Sequence, residues 1–243
     1  MSEAPASPQP PVKGLGLGAR IWGILTSPRE TFADIVARPR WLGMMVVVIL
    51  VTAVFMGGFL MTAVGQQAYV DNSVRQSERF GGQVGEAQYA GIERMAKYAA
   101  PITVVSVAII TPLMWAIMAG ILFVVFNAAL GGGGSFKQLF AVMAYSSAVT
   151  IVQQIFVTPL NYVRETMSSA TNLAVFLPML DEGSFLARLL GMIDLFLIWW
   201  VVVLSIGLAV LYRRKTGPIA IGLFAVYGII AVVIAAFFGR GGA

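Results

Sequence analysis

Five apolar runs, each long enough to cross a bilayer, dominate this sequence. A helix needs about 20 consecutive apolar residues to span the hydrocarbon layer. The runs occupy residues 41–64, 101–130, 136–160, 185–211 and 217–238. Because a bilayer offers no water to free backbone groups, such runs form helices or the strands of a closed barrel, and none of them alternates with the period of two typical of barrel strands. The sequence therefore predicts an all-α membrane protein, a bundle of five transmembrane helices.

The composition excludes several classes of function. Of the 243 residues, 58% are hydrophobic and 11% are charged, whereas about a quarter of residues are charged in soluble domains. The chain has no histidine and no cysteine, which excludes an ordinary zinc site, a Ser-His or Cys-His nucleophile and a histidine-ligated haem. No cluster of acidic residues suits a metal ion. The sequence therefore predicts a protein that is not an enzyme, needs no cofactor and binds no metal.

Lysine and arginine are unevenly distributed among the segments that join the runs. If the N-terminus is cytoplasmic, the cytoplasmic segments carry a large excess of basic over acidic residues, whereas the two are balanced in the longer outer segments. The positive-inside rule therefore predicts a cytoplasmic N-terminus and a C-terminus on the outside. The net charge of +5 reflects this asymmetry, so the sequence predicts no nucleic-acid partner.

Basic residues next to the runs are candidates for contacts with lipid headgroups, because cationic side chains at the membrane boundary attract anionic lipids. They are Lys137, Arg213, Arg214 and Lys215. The last three are consecutive in a short turn, and topology alone produces the same pattern. Both interpretations remain open at this point.

Outside the apolar runs, the sequence divides into short terminal segments. Residues 1–13 are rich in proline, serine and alanine and cannot bury a core, so they are predicted to be a disordered tail. Residues 14–40 have the composition of a soluble protein and are predicted to form cytosolic interfacial helices. The membrane domain then covers residues 41–239, and residues 240–243 form a second tail.

One helix in the segment before the first run has clear start and stop signals. Ser27, Pro28 and Glu30 fit the N-cap, first and third positions of a helix with a capping box. Pro39 then ends the helix after Arg38. The sequence therefore predicts a short helix of about eleven residues, which is marginal in water on its own.

Such a short helix needs a surface to pack against. Its apolar face and the apolar residues upstream predict an N-terminal amphipathic helix on the cytoplasmic headgroup layer. The alternatives are that the apolar face docks onto a protein partner or onto the cytoplasmic end of the bundle itself. The residues predicted to contact the membrane surface or a partner are Trp22, Phe32, Ile35, Val36, Arg38 and Arg40.

Polar side chains inside the predicted spans are further candidates, because burying them in hydrocarbon is costly. They are Asn127, Gln153, Gln154 and Asp194. Asp194 suits either a proton or cation ligand or a structural hydrogen-bond acceptor. The three amides suit either interhelical hydrogen bonds or the lining of a ligand path.

The glycine-rich stretch LGGGGSFKQ, residues 130–138, joins the second and third runs. It is typical of a tight turn in which Ser135 is the N-cap of the next helix. The alternative is a phosphate cradle, in which backbone amides at the helix N-terminus act together with Lys137. No strand precedes the stretch and the P-loop spacing is absent, so a turn is favoured.

The order of these features resembles a known family. The chain contains, in order, SPRETFADIVARPRW, a span, a polar outer loop, GGGGSFKQ, IDLFLIWWVVVLSIGLAVLYRR and a last span. Over about residues 18–238, this order is similar to that of the Yip family (Ypt/Rab-interacting protein type) of five-span membrane proteins, bacterial branch. The resemblance implies a five-span helical bundle in the bacterial cytoplasmic (inner) membrane with a cytoplasmic N-terminus. The family brings no agreed catalytic residues that carry over to this chain.

These features together predict a non-enzymatic multi-pass membrane protein that organises membrane or serves as a scaffolding or accessory subunit of a membrane complex. Its predicted partners are the lipid bilayer and either another membrane protein or a second copy, since small residues recur at helix-packing spacing. The alternative is a transporter, scramblase or permease accessory. Its polar path would be lined by Pro112, Asn127, Gln153, Gln154 and Asp194.

Overall fold

The structure, a computed structural model, describes residues 14–79, 82–180 and 184–237. This part of the chain consists of helices and their connections and contains no β-sheet, which confirms the predicted all-α class. The α-helices are α1 (Leu17–Thr26), α2 (Pro28–Ala37), α3 (Leu42–Met61), α4 (Ala63–Arg79), α5 (Glu86–Ala96), α6 (Ala99–Phe123), α7 (Phe136–Ser146), α8 (Ala148–Val163), α9 (Phe185–Met192), α10 (Leu195–Leu211) and α11 (Thr216–Phe237). A π-helical segment, Val124–Ala129, extends α6, and a 3₁₀ turn, Leu173–Phe176, lies between α8 and α9. The predicted tails, 1–13 and 240–243, lie outside the described residues.

Within the described ranges, four helical stretches are long and apolar enough to cross a membrane. They are Leu42–Met61, Ala99–Ala129, Phe136–Val163 and Thr216–Ala236. The remaining apolar helix, α10, has 17 residues, which at about 1.5 Å per residue is about 25 Å and shorter than a hydrocarbon layer of about 30 Å. By length and composition, the structure therefore supports a multi-pass membrane protein with four candidate spans and one shorter apolar helix.

The fourth predicted span is divided in the structure. The sequence predicts one helix over residues 185–211, but α9 ends at Met192 and α10 begins at Leu195, with Asp194 extended between them. The Asp194 carboxylate accepts hydrogen bonds from the backbone N–H groups of Phe196 (2.8 Å) and Leu197 (3.4 Å) and is the N-cap of α10. An N-cap needs non-helical backbone, so the aspartate begins a helix instead of lying within one.

The largest core cluster lies where α1 and α2 pack against α7 and α10. In α7, every residue from Leu139 to Ser146 is buried, as expected for a helix that is apolar on all sides. The span Phe136–Val163 is 56% buried over its most apolar window, whereas Thr216–Ala236 is only 17% buried. The bundle therefore has a protein-enclosed centre, and α11 leaves most of its apolar surface outside that core.

The helices α1 and α2 form a hairpin that docks into the bundle. Phe32 and Ile35 are 0% exposed, and Phe32 packs against Gly207 of α10. A Cβ at Gly207 would lie 2.9 Å from the Phe32 ring and 2.6 Å from Val142 Cγ1. The absence of a side chain at Gly207 therefore makes room for Phe32 between α7 and α10.

The docked hairpin corrects the prediction that Phe32 and Ile35 contact the membrane surface or a partner. Their side chains occupy the end of the bundle itself, which was one of the two alternatives. Burial in a close-packed protein groove removes more apolar area from water than partial immersion in a headgroup layer. Val36 is half-buried beside them, and its carbonyl accepts a hydrogen bond from Gln138 Nε2 at 3.0 Å.

Ser27 and Ser135 are each predicted to cap the helix that follows, and only Ser135 does so. α2 begins at Pro28 as predicted, but the side chain of Ser27 makes no capping hydrogen bond. Ser27 also ends α1, so its backbone (φ −141°, ψ 61°) departs from the extended conformation that directs a capping oxygen toward the helix. Ser135 forms a complete capping box with Gln138, which confirms the prediction that it caps the next helix.

Candidate functional site at the hairpin end of the bundle

The end of the bundle that carries the α1–α2 hairpin, named the hairpin end, also contains the glycine-rich turn. Asn127 holds this turn through both atoms of its amide. Its Nδ2 donates to the carbonyl of Gly134 at 2.9 Å, and its Oδ1 accepts from the N–H of the same residue at 3.2 Å. Both polar atoms of the amide thus bond to the adjoining turn.

The same turn is fixed from its other side by residues that follow α10. The ring of Tyr212 stacks on Phe126, with centroids 4.7 Å apart. It also lies so close to Gly132 that a Cβ there would be 2.6 Å away. Arg214 Nη2 donates to the carbonyl of Leu130 at 2.7 Å. The two turns at the hairpin end are therefore bonded to each other.

A buried arginine joins the hairpin to the bundle. Arg20 is 2% exposed, and its Nε and Nη2 lie 2.8 Å and 2.7 Å from Oδ2 of Asp34. Its Nη1 donates to the carbonyl of Arg38 at 3.2 Å and to the hydroxyl of Tyr145 at 3.5 Å. The guanidinium carbon also lies 5.6 Å from the Tyr145 ring centroid, within cation–π range. Arg20 thus connects α1, α2 and α7.

Burial would by itself lower the pKa of Arg20, but its hydrogen bonds with Tyr145 and Asp34 outweigh that effect and raise the pKa. The guanidinium therefore remains charged at any physiological pH. Sequence reasoning did not select Arg20, although a signal was present. Arg20 lies four residues before Ile24, on the apolar face of α1, where a charged side chain needs a partner.

A cleft of about 470 Å³ opens between α2 and the turn that joins α10 to α11. Its lining combines four cationic side chains with three small or branched apolar ones, and it is named the basic cleft. The lining residues are Arg29, Ala33, Ala209, Val210, Arg213, Arg214 and Lys215. No carboxylate is among them.

The basic cleft collects three of the four residues predicted to contact lipid headgroups. Lys137 is exposed in the first turn of α7 and does not line the cleft. Arg29, which sequence reasoning missed, joins the turn because docking of Phe32 on Gly207 brings α2 beside the end of α10. A non-local contact places Arg29 here, so no local pattern marks it.

A match to a known family covers most of the chain. The family model described as Yip1 domain matches residues 22–238. The chain belongs to the Yip1 domain family. No curated protein and no solved structure matches it. The Yip1 domain includes every lining residue of the basic cleft as well as Asp34 and Tyr145, whereas Arg20 lies just before its first matched residue.

Elsewhere in the Yip1 domain, Asp194 is held in a local cluster of donors. The hydroxyls of Ser169 and Thr171 both lie within hydrogen-bond distance of its Oδ2, Thr171 at 2.6 Å. Its Oδ1 accepts the capping bond from Phe196. Both carboxylate oxygens are therefore occupied, and the aspartate ties the segment after α8 to the start of α10.

The remaining polar candidates do not assemble into a site. The hydroxyl of Thr158 donates to Gln154 Oε1 one turn along the same helix, at 2.9 Å, and Gln153 is half-buried. A second cleft of about 860 Å³ lies among α4, the segment after α8 and α9, with Arg75, Arg164 and Arg188 in its lining. None of the four intramembrane polar candidates lines either of these two clefts.

The described residues of the Yip1 domain do not assemble a constellation suited to metal-assisted chemistry. Within the described ranges, no group of three or more acidic residues could hold a metal ion. The arrangement at the hairpin end is instead suited to binding. It combines a rigid docked hairpin, a cluster of positive charge and exposed apolar side chains, of which Trp22 at 68% exposure is the most prominent on the hairpin.

Proposed function

We propose that this Yip1-domain protein is a non-enzymatic organiser of the bacterial cytoplasmic membrane, acting as a scaffold or accessory subunit of a membrane complex. In this proposal the hairpin end faces the cytoplasm, in accord with the concentration of lysine and arginine there. The observation that carries the proposal is the docked hairpin. Its inward face is tied to the bundle by Phe32 and Arg20, so its outward face is held in a fixed position.

The outward face has the chemistry of a contact surface. Trp22 projects from α1 with 68% exposure, and Arg40 is exposed where the hairpin meets α3. Tryptophan is favoured at membrane–water boundaries and at protein interfaces, because it combines a large apolar area with one hydrogen-bond donor. A rigid surface with such side chains loses little conformational entropy on binding.

The membrane-facing helices offer a second contact surface. Ile221, Val226 and Ile229 of α11 are between 57% and 72% exposed. Lipid chains satisfy such a surface, and so does another transmembrane helix. This supports assembly with a second copy or with another membrane protein within the bilayer. No observation on the described residues favours a transporter, scramblase or permease accessory.

The test is recovery of the full-length protein from native membranes in mild detergent, as wild type, Trp22→Ala and Phe176→Ala. Trp22 and Phe176 are similarly exposed aromatics, at 68% and 64%, but Phe176 lies in the connection between α8 and α9. We expect a stoichiometric membrane-protein partner or second copy that is lost with Trp22→Ala and retained with Phe176→Ala. The proposal would be contradicted if the wild type purifies alone from native membranes and, in a separate assay, does not reshape liposomes.

A further inference from the structure

We propose that the basic cleft binds the phosphate of an anionic phospholipid headgroup. This inference does not depend on a scaffolding role, because it requires only that the protein lies in a bilayer. It extends the headgroup contacts expected for the 213–215 turn to a defined site in which α2 takes part. Four observations carry it: the position of the cleft, its charge, its shape and its rigidity.

The cleft lies at the end of a membrane-spanning helix. The candidate span Thr216–Ala236 begins immediately after Lys215, which is itself part of the lining. Because the ends of spanning helices lie at the headgroup layer, the 213–215 turn is at the depth of lipid phosphates. A lipid of the adjoining leaflet can therefore place its headgroup in the cleft without leaving the bilayer.

The charge of the cleft is uncompensated. Arg29, Arg213 and Lys215 are exposed, and their side chains make no ion pair or hydrogen bond within the described part of the chain. Asp34 of α2 is already paired with Arg20 at 2.7 Å. Glu30, the other carboxylate of α2, is exposed and does not line the cleft. Like charges around one cleft repel each other, and a bound anion relieves that repulsion.

The shape of the cleft fits an amphiphile. Its apolar lining comes from Ala33, Ala209 and Val210, whereas its polar lining is entirely cationic. Its volume of about 470 Å³ lies within the range of about 300–1,000 Å³ that is usual for small-ligand sites. A phospholipid offers both chemistries, since its phosphate suits the cations and its glycerol and upper acyl carbons suit the apolar wall.

The cationic side chains are carried on fixed backbone. Arg213 has a left-handed conformation (φ 53°), and the N–H of Arg214 donates to the carbonyl of Ala209 at 2.9 Å. The bond from Arg214 to Leu130 further holds the turn. Arg29 is carried on α2, whose position is set by the buried Phe32. Such pre-organisation lowers the entropic cost of binding an anion.

The experiment uses purified full-length protein in nanodiscs of phosphatidylcholine, with phosphatidylglycerol added at increasing fractions and binding read by native mass spectrometry. The cleft variant is the double substitution Arg29→Gln, Lys215→Gln. Its matched control is Arg94→Gln, Lys97→Gln, which removes the same charge from exposed positions outside the cleft lining. Thermal unfolding of each variant, followed by tryptophan fluorescence, checks that it is folded.

We expect wild type and the control to retain phosphatidylglycerol in preference to phosphatidylcholine, and the cleft variant to bind it at least about tenfold more weakly, as loss of charge-assisted contacts implies. Equal weakening in both double variants would show a diffuse attraction of positive charge and overturn the site. Equal retention in all three would overturn it as well.

A competition arm on the wild type separates lipid from free anion and remains informative if the cleft variant fails to fold. Inorganic phosphate is added to nanodiscs that already hold phosphatidylglycerol. A parallel titration with chloride measures the ionic strength at which screening alone displaces the lipid. We expect phosphate to displace the lipid only at or above that ionic strength. Displacement by phosphate well below that level would overturn the lipid assignment in favour of a free-phosphate site. No partner protein is present, so failure here is distinct from failure of the scaffolding proposal.

Discussion

At the scale of single residues, Arg20 shows why a buried charge is retained in an apolar chain. Asp34 satisfies its charge, and the carbonyl of Arg38 and the hydroxyl of Tyr145 occupy further donors of the guanidinium. An ion pair of this kind contributes little net stability compared with apolar replacements, but removing one partner leaves an unpaired buried charge. The pair therefore favours one register of α1 against α2 and α7.

The first prediction concerns the substitution Arg20→Ala. We expect it to cost about 1.5–3 kcal/mol, because the partly buried Asp34 would lose the charged hydrogen bonds of Arg20 and keep only the looser ion pair with Arg38 at 3.8 Å. Hydrogen exchange of the amides in Leu17–Thr26 and Pro28–Ala37 measures the effect, since loss of this contact should open the hairpin before the spans unfold.

Two further variants make the Arg20 measurement specific. Arg20→Lys keeps the charge but presents one nitrogen in place of the planar guanidinium, so an intermediate loss of protection is expected. Arg40→Ala removes a nearby exposed arginine and should leave exchange unchanged. Equal protection in Arg20→Ala and Arg40→Ala would mean that the buried pair does not hold the hairpin.

At the scale of helices, the contact of α2 with α10 depends on the small residue at position 207. A methyl group there would approach the Phe32 ring to 2.9 Å and Val142 to 2.6 Å. Both neighbours are buried, so neither has free space into which to move. We therefore expect Gly207→Ala to destabilise the fold by about 1–3 kcal/mol through overpacking.

The matched control for this prediction is Gly222→Ala in α11. A Cβ at Gly222 meets nothing within 4 Å, and alanine favours a helix over glycine by up to about 1 kcal/mol. Gly222→Ala should therefore be neutral or stabilising. Thermal unfolding followed by tryptophan fluorescence compares the two, and similar shifts in both variants would contradict the proposed packing of Phe32 on Gly207.

The helices illustrate what is predictable from sequence and what is not. The existence of α3, α6 and α11 follows from local hydrophobicity, because the bilayer requirement acts on each run separately. The docking of α2 does not follow, since its apolar face is the same whether it meets lipid, a partner or the bundle. Partners far along the chain, such as the gap at Gly207 and the hydroxyl of Tyr145, decide between these surfaces.

The residues of the basic cleft also differ in how far the sequence predicts their positions. Arg213, Arg214 and Lys215 are adjacent in sequence, so their clustering was predictable, whereas Arg29 joins them only through the folded contact of α2 with α10. The sequence prediction places Asp194 inside a span, because hydropathy averaged over many apolar neighbours does not reveal a single capping residue. Its two capping bonds are local, but they compete with an uninterrupted helix that the surrounding residues would also allow.

At the scale of the whole molecule, the position of α10 bears on the number of membrane crossings. The span Phe136–Val163 leaves the hairpin end, and the bond from Arg214 to Leu130 shows that the chain has returned there by the end of α10. The return path consists of α10 and the segments before it, although α10 alone has 17 residues. We therefore expect α10 to complete a fifth crossing, with local thinning of the bilayer or adjoining apolar residues accommodating its short length.

The last prediction tests this topology with cysteines introduced one at a time into a chain that has none. Suitable exposed positions are Thr26, Gly133, Ser168 and Gly217. With five crossings, Thr26→Cys, Gly133→Cys and Gly217→Cys should react with a membrane-impermeant maleimide only from the cytoplasmic side, and Ser168→Cys only from the outside. If α10 does not cross, Ser168→Cys and Gly217→Cys will instead react from the same side. In that case the turn that carries Arg213 and Lys215 could not meet Arg29 across a bilayer, and the basic cleft would be excluded along with the fifth span.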